Sequence, residues 1–284
     1  MSIAEKIQAT TKEMTRSELQ LAESILGDYP ISGLGSMTEI AEKAGVSTPT
    51  VLRMVRKLGF KGFPDFQANL RVELGEVISN PIAKRDAWQN ELPEQHIVNR
   101  YSRASQENQR ATLEHLDIEA FDAVCALIAD PNRRIYIAGG RISHTIAQYL
   151  YLHLQMIRAE VRLIPASSAW AHDLLDIRED DLLITFDVRR YQNDTLLMAQ
   201  MAQKRGAKVA LFTDQWRSPI HRFAQYSFGA RIAVPSAWDS CQSLLLLAEC
   251  AIASVQEATW ESVKERTDAL EGVFDDTKLF RKFT

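Results

Sequence analysis

The chain has 284 residues, a formal charge of −4, 46% hydrophobic and 25% charged residues, which is the composition of a soluble globular protein with material for a sizeable core. Collagen-like, disordered and disulfide-scaffold classes are excluded; no apolar run approaches the ~18 residues of a membrane span, and the polar start from Met1 to Met14 is unlike a signal peptide, so a cytoplasmic location is expected. Cys125, Cys241 and Cys250 are too scattered for a disulfide framework or a zinc site and read as buried small apolar residues.

The acidic total conceals an asymmetry. Residues 1–46 carry four basic and seven acidic side chains, and residues 72–284 carry 24 and 29. Between them, Arg53, Arg56, Lys57, Lys61 and Arg71 face only Asp65. One basic patch in an acidic protein is the footprint of a small part that meets phosphate; a solvated basic helix face gives the same count.

In chain order, Thr15-Arg16-Ser17-Glu18 fits a capping box and opens a helix with Leu19, Ala22, Ile25 and Leu26 at helical spacing, ending near Tyr29-Pro30. Ser36-Met37-Thr38-Glu39 repeats the signature, with Ile40, Ala41 and Ala44 inward and Gly45 as the left-handed stop. Ser47 then caps a third helix, with Pro49 in its first turn and Val51, Val55 and Leu58 inward, before Gly59. Two short helices joined by a glycine turn, the second basic on its outer face, form the pattern of a DNA-reading helix-turn-helix. Small Ala41 permits their close crossing. The candidate contacts are Ser47, Thr48 and Thr50 toward the major groove, Arg53 toward guanine or phosphate, and Arg56, Lys57 and Lys61 toward the backbone.

Residues Thr38 to Ser47, Thr50-Val51-Leu52-Arg53 and the run Lys57-Leu58-Gly59-Phe60-Lys61-Gly62-Phe63 resemble the N-terminal domain of the RpiR-type bacterial transcriptional regulators. In the most specific part, Leu58 to Phe63, Gly59 and Gly62 are expected to permit a sharp reversal while Phe60 and Phe63 pin the next helix, Pro64 to about Ile78.

Ser79-Asn80-Pro81 and the polar, weakly periodic stretch to Pro93 read as a linker; residues 94–116 are helical in composition, and Ile118 to Ala129 is a helix with Phe121, Val124, Cys125 and Ile128 on one face. After Pro131 short apolar runs alternate with amphipathic helices: strands at 134–138, 161–164, 181–186 and 208–213 and a weaker one at 226–230, helices at 143–157, 193–205 and 240–255, and a helical turn near Pro219. This alternation requires a mostly parallel, doubly wound sheet, whose ligands bind outside the carboxyl ends of the strands at the switch in strand order.

Two loops meet there. In Gly139-Gly140-Arg141-Ile142-Ser143 the glycines let the backbone approach an anion and Ser143 stands at a helix N-terminus. In Thr185-Phe186-Asp187-Val188-Arg189-Arg190-Tyr191 a carboxylate and two guanidiniums follow the third strand. The first loop is no dinucleotide fingerprint: Gly-x-Gly-x-x-Gly is absent and no acidic residue follows the second strand, so no cofactor is implied. No His, Cys, Asp or Glu set has metal-ligand spacing.

The element order and these loops resemble a SIS (sugar isomerase) domain, the usual sensor half of RpiR-type regulators. The resemblance implies a phosphorylated-sugar site with Ser143 as the serine after the first strand. The family's Ser-x-Ser-Gly-x-Thr loop after the third strand is not kept: Thr185 stands first, and Asp187 to Tyr191 replace the rest. Arg189 and Arg190 could grip a carboxylate or phosphate bidentately, or pair at a surface or interface. Asp239 and Ser240, ahead of the last helix of this domain, face the same cleft or simply cap that helix.

The expectation is an all-α helix-turn-helix domain (1–78), a linker and connecting helix (79–115), an α/β SIS-like sensor domain (116–260) and a C-terminal helical tail (261–284). The function implied is that of a sequence-specific DNA-binding regulator, a dimer or tetramer on a double-stranded operator, modulated by a sugar phosphate or sugar acid and not an enzyme. The alternatives are a SIS-fold isomerase with Asp187 or His144 as base, and a second domain that only oligomerises.

Overall fold

The computed structural model describes residues 1–89, 96–167 and 169–281, with the side chains of residues 86–89 outside the description; the linker and helix expected over residues 90–95 lie outside it. Five helices build the N-terminal unit: α1 (Ile3–Thr10), α2 (Arg16–Leu26), α3 (Met37–Ala44), α4 (Thr48–Lys57) and α5 (Phe63–Ile78). Both expected capping boxes form, Thr15 with Glu18 and Ser36 with Glu39, and Gly45 closes α3 in the left-handed region (φ 64°) that costs glycine nothing. Ile40, Ala41, Ala44, Val51, Val55 and Leu58 are buried together.

The structure adds one local element and corrects other expectations. The polar N-terminus is a helix of its own: Ser2 and Glu5 make a third capping box, and Ile3, Ala4 and Ile7 are buried. Gly62 sits at φ 173°, extended backbone open to any residue, so only Gly59 (φ 87°) requires glycine in the reversal. The turn is held instead by aromatic packing, with Phe60 edge-on to Phe66 at 5.5 Å and Phe63 at 6.2 Å from the same ring.

The stretch read as a linker contains α6 (Pro81–Gln89). Its N-terminal amides at Ile82 and Ala83 are capped by Asn80 Oδ1, both at 3.0 Å, a local signal that offsets the weak apolar periodicity. The helices α7 (Ile97–Glu114) and α8 (Ile118–Ala129) follow.

The second unit is a five-stranded, all-parallel sheet in the order β2-β1-β3-β4-β5, from β1 (Ile135–Gly139), β2 (Val161–Leu163), β3 (Leu182–Asp187), β4 (Lys208–Asp214) and β5 (Tyr226–Ala230). Crossovers run through α9 (His144–Ile157), α10 (Trp170–Asp176), α11 (Asn193–Lys204) and a short 3-10 turn at Pro219–Arg222, and α12 (Gln242–Ala258) and α13 (Trp260–Thr277) complete the chain. The period-2 alternation of strand side chains divides the core. Ile135, Ile137, Ile184, Phe186, Phe212 and Phe228 join α8, α9 and α12 on one face. Tyr136, Ala138, Leu183, Val209 and Leu211 meet α10 and α11 on the other. The helix α10 has no counterpart among the sequence expectations: its seven residues bury only Leu174, too short a pattern to announce itself.

The two units dock directly. Ser2 Oγ donates to the Gln215 carbonyl (3.1 Å), Arg231 pairs with Glu5 (2.5 Å) and Arg222 with Asp28 (3.0 Å). The helix α1 is thus a wedge between the other N-terminal helices and the ends of β4 and β5.

Candidate functional site

Two regions collect the residues singled out by sequence. On the first, α4 lies across α3 with Ser47, Thr48, Arg53 and Arg56 exposed along its outer side and Lys61 exposed in the turn beyond it. Ser47 stands at the N-cap, but its hydroxyl meets Thr50 Oγ1 at 3.0 Å instead of a backbone amide. Thr50 is buried, and its Oγ1 also accepts from Arg53 Nη2 at 3.2 Å. It therefore positions Arg53 and is not itself open to a base edge. Lys57 is likewise engaged: its ammonium donates to Glu18 Oε2 at 2.7 Å and to the Glu13 carbonyl at 2.8 Å. Burial raises the Glu18 carboxyl, but hydrogen bonds from Lys57 and Thr15 more than offset this and leave it below its ordinary value. Lys57, itself exposed, ties α4 to α2, and the other exposed cations of this face are Arg53, Arg56 and Lys61.

The second region is the crevice beyond the carboxyl ends of β1 and β3, where the strand order reverses. A cavity of about 220 Å³ opens there, lined on the sheet side by Gly140, Arg141, Ser143, Asp187, Arg189, Arg190 and Gln192, and on the other by Asp239, Cys241 and the connector residues Ser79, Pro81 and Lys84. Gly139 supports the crevice from below: a Cβ there would stand 2.7 Å from the His144 amide nitrogen and 2.8 Å from its Cα, so only glycine lets α9 close on β1.

Most polar groups of the crevice are already engaged. The buried Ser143 hydroxyl donates to the Phe186 carbonyl (2.8 Å) and accepts from the Gly140 amide (3.0 Å), tying the first loop to the end of β3 instead of facing a ligand. The Arg141 amide donates to Gln192 Oε1 at 2.7 Å. Sequence reasoning does not find Gln192; nothing in its spacing marks it, because the contact spans two loops. Asp187 is buried under Ser218 Oγ, with the Gln192 amide at 3.5 Å from Oδ1. Burial pushes its carboxyl up to about 7, which the Ser218 and Gln192 hydrogen bonds partly oppose. Asp214 beneath it, holding the Arg189 amide (2.6 Å) and Tyr191 hydroxyl (2.8 Å), is pushed up to about 6 by its own burial.

Besides Gly139, two expected residues fall outside the cavity wall. Thr185 is buried within the sheet, in register with Ala138 and Leu211, and its hydroxyl finds no partner among the described residues. Ser240 is buried with its amide on the Ile232 carbonyl. The cysteines also divide: Cys125 is buried, whereas Cys241 and Cys250 are half-buried.

Arg189 is the most constrained cation of the crevice. Its guanidinium is 4% exposed and bidentate on Asp239, with Nε–Oδ2 at 3.0 Å. Its Nη1 donates to the Glu76 carbonyl near the end of α5 (2.8 Å), and it lies over the Trp216 ring at 4.9 Å. Lys84 of α6 pairs with the same Asp239. Arg190 by contrast is exposed, in left-handed backbone (φ 66°), and Arg141 is exposed on the opposite lip.

Among the described residues no helix is long and apolar enough to cross a membrane. Comparison with known proteins matches residues 1–77 to the helix-turn-helix domain of the rpiR family and residues 127–254 to the SIS domain. The transcriptional regulator HexR of Escherichia coli K12 is 24% identical over 221 residues, 75% of this chain and 72% of that protein, and RpiR of the same strain is 20% identical, covering 80% and 75%. Among solved structures, the Vibrio vulnificus NanR protein complexed with ManNAc-6P covers 99% of this chain and 100% of that one, at TM-score 0.56 and 17% identity. The sugar isomerase domain of an RpiR transcription factor from Sphaerobacter thermophilus covers 62% and 99%, at 0.59 and 22%.

Proposed function

This chain belongs to the RpiR-type regulators, an rpiR-family helix-turn-helix domain followed by a SIS domain, and is a DNA-binding transcriptional regulator; on that premise we propose that α4 reads the operator and that the switch-point cavity takes an anionic, sugar-type effector. On the DNA side, Thr48 and Arg53 face the base edges and Arg56 and Lys61 the phosphates, with Thr50 and Lys57 setting the helix in place. Two such units in a homodimer, or two pairs in a tetramer, read the halves of a palindromic double-stranded operator in the cytoplasm.

The observation that carries the effector reading is the charge of the cavity: Lys84, Arg141, Arg189 and Arg190 converge on it against Asp187 and Asp239, and Asp187 is partly neutralised by its raised pKa. An excess of cations in a partly desolvated crevice selects an anion, a phosphate or a carboxylate. The ManNAc-6P held by the V. vulnificus NanR protein supports that class. An isomerase would need a base open to substrate; Asp187 is instead covered by Ser218, which favours a sensor.

Two measurements test the reading. A mobility-shift titration across salt should show weaker operator binding for Arg53→Ala and a salt slope smaller by about one; unchanged binding would remove α4 from the interface. Thermal-shift screening of the full chain against sugar phosphates, sugar acids and amino sugars should find stabilising ligands that Arg190→Ala loses. Equal stabilisation of that variant would place the effector elsewhere.

A further inference from the structure

Lys84 and Arg189 stand where the cavity wall meets the DNA-side connector, one of them belonging to the connector and the other reaching it from the end of β3. Lys84 is the fourth residue of α6, the helix that leaves the helix-turn-helix unit. Arg189 follows β3, yet it reaches back to the Glu76 carbonyl (2.8 Å) and Ser79 Oγ (3.4 Å), the last turn and end of α5. The other end of α5 carries Phe63 and Phe66, packed in the core beneath the recognition helix. Both cations close on a single carboxylate, Asp239, and both are largely withdrawn from water, with side chains 10% and 4% exposed. Asp239, at 23%, is the more open partner and lines the cavity with them.

We infer that Lys84 is an effector-binding residue held in reserve by Asp239, and that an anionic ligand group entering the cavity takes the place of the Asp239 carboxylate on Lys84 and Arg189. The inference rests on the cavity being the effector site. Asp239 is in this sense an internal stand-in: a carboxylate that balances the charge of two cations as a ligand carboxylate or phosphate would. Burial makes the exchange all-or-none in character, because two desolvated cations cannot be left without a counter-charge. A ligand phosphate with three acceptor oxygens can satisfy Lys84 and Arg189 together, but from a different point in the cavity than Asp239. The Arg189 guanidinium then turns, and its bond to the Glu76 carbonyl is lost or remade. The connector position thereby becomes part of the binding equilibrium, which is the condition for a ligand to shift the DNA-side unit: it must bind the two arrangements with different affinity.

The test uses the full-length protein with inorganic phosphate as probe, against chloride at matched ionic strength. Affinity is read by calorimetry, and hydrogen exchange is followed at the amides of residues 76–84. Asp239→Asn removes the competing charge while keeping an acceptor for Arg189; Lys84→Met keeps the stem and removes the cation. Asp239→Asn should bind phosphate about tenfold tighter than wild type and Lys84→Met about tenfold weaker, each a change of one ion-pair's order. Phosphate should also speed exchange at residues 76–84 in the wild type, and in Asp239→Asn those amides should exchange fast without it. Circular dichroism and hydrodynamic size unchanged from wild type establish that both variants fold. If Lys84→Met bound phosphate like the wild type while Arg190→Ala lost it, the cavity would stand as the anion site and the exchange would be refuted. If neither wild type nor Asp239→Asn responded to phosphate, the cavity reading itself would fall with it.

Discussion

The outer face of α4 and the crevice beyond β1 and β3 are both cationic, but their charges are held in opposite ways. Arg53, Arg56 and Lys61 stand in solvent on a helix and turn whose other face supplies their stability. Arg189 and Lys84 are enclosed and already balanced by Asp239. On the proposed reading, the first surface is ready for a polyanion whose approach releases counterions, whereas Arg189 and Lys84 would have to give up an internal bond before meeting an anion, unlike the exposed Arg141 and Arg190 on the lips. Exposed cations can stand without an internal partner because water screens them, whereas buried ones need a resident counter-ion.

The sharpest way to break this contrast is to damage the crevice's frame. Gly139→Val should cost about 4 kcal/mol or more, since its side chain would collide with the backbone of His144, which cannot yield as a flexible side chain could. Urea denaturation would show it, with the N-terminal helices less affected than the sheet; a midpoint near wild type would mean that α9 can retreat from β1.

On the DNA side the next effect is smaller and separates two neighbouring cations. Lys57→Met should lose about 2 kcal/mol of stability by leaving Glu18 buried without its ion pair, while Arg56→Ala should stay within about 0.5 kcal/mol and act only on operator affinity. Thermal melts of the two variants beside mobility shifts would distinguish anchor from contact; equal melting points would return Lys57 to the contact surface.

The crevice also has a pH signature. Asp187 binds a proton in the folded state up to about pH 7, whereas the unfolded chain releases it near 3.8. Folding therefore retains a proton between those values, so this group's contribution falls as pH rises through that window and levels off above it. Asp187→Asn should melt relatively higher at pH 8 than at pH 5 when compared with wild type at each pH. A constant difference between the two proteins would show that Asp187 does not titrate there.

The smallest expected effect concerns the turn after α4. Gly62→Ala should change stability by no more than about 0.5 kcal/mol, or raise it slightly by restricting the unfolded chain, whereas Gly59→Ala should lose about 1 to 2 kcal/mol at its left-handed position (φ 87°). Denaturant midpoints of the pair would decide whether conformation or packing holds the reversal.

The two regions are also unequally legible. Capping boxes, the Gly45 stop and the inward set from Ile40 to Leu58 are local patterns, with partners within four residues, and they read directly from the chain. The parallel sheet follows from alternation of apolar runs and helices, and the switch point from the order of those elements. What stays hidden depends on packing or on long-range pairing. Thr50 reads as a contact because its position on α4 is right; its burial against Ser47 and Arg53 is a matter of rotamer and packing. Ser143 and Arg189 are placed at the crevice by sequence and structure alike, yet their partners, Phe186 and Asp239, lie 43 and 50 residues away. Gln192 carries no motif at all. The helix α6 is hidden because its short cap signal competes with a polar, aperiodic surface, and its relation to the cavity is set by where α5 ends in space.

Because Ser79, Pro81 and Lys84 help line the cavity, the natural seam of the molecule for recombination does not coincide with the end of α5. A chimera that joins a foreign reading head to this chain after residue 84 would inherit a crevice short of part of its wall, and one spliced before Glu76 would keep wall and latch intact. Modularity in such a protein is asymmetric: an exchange of the N-terminal helices would have to leave residues 76–84 with the sheet, and would also have to replace the Glu5–Arg231 and Asp28–Arg222 pairs that join the two units.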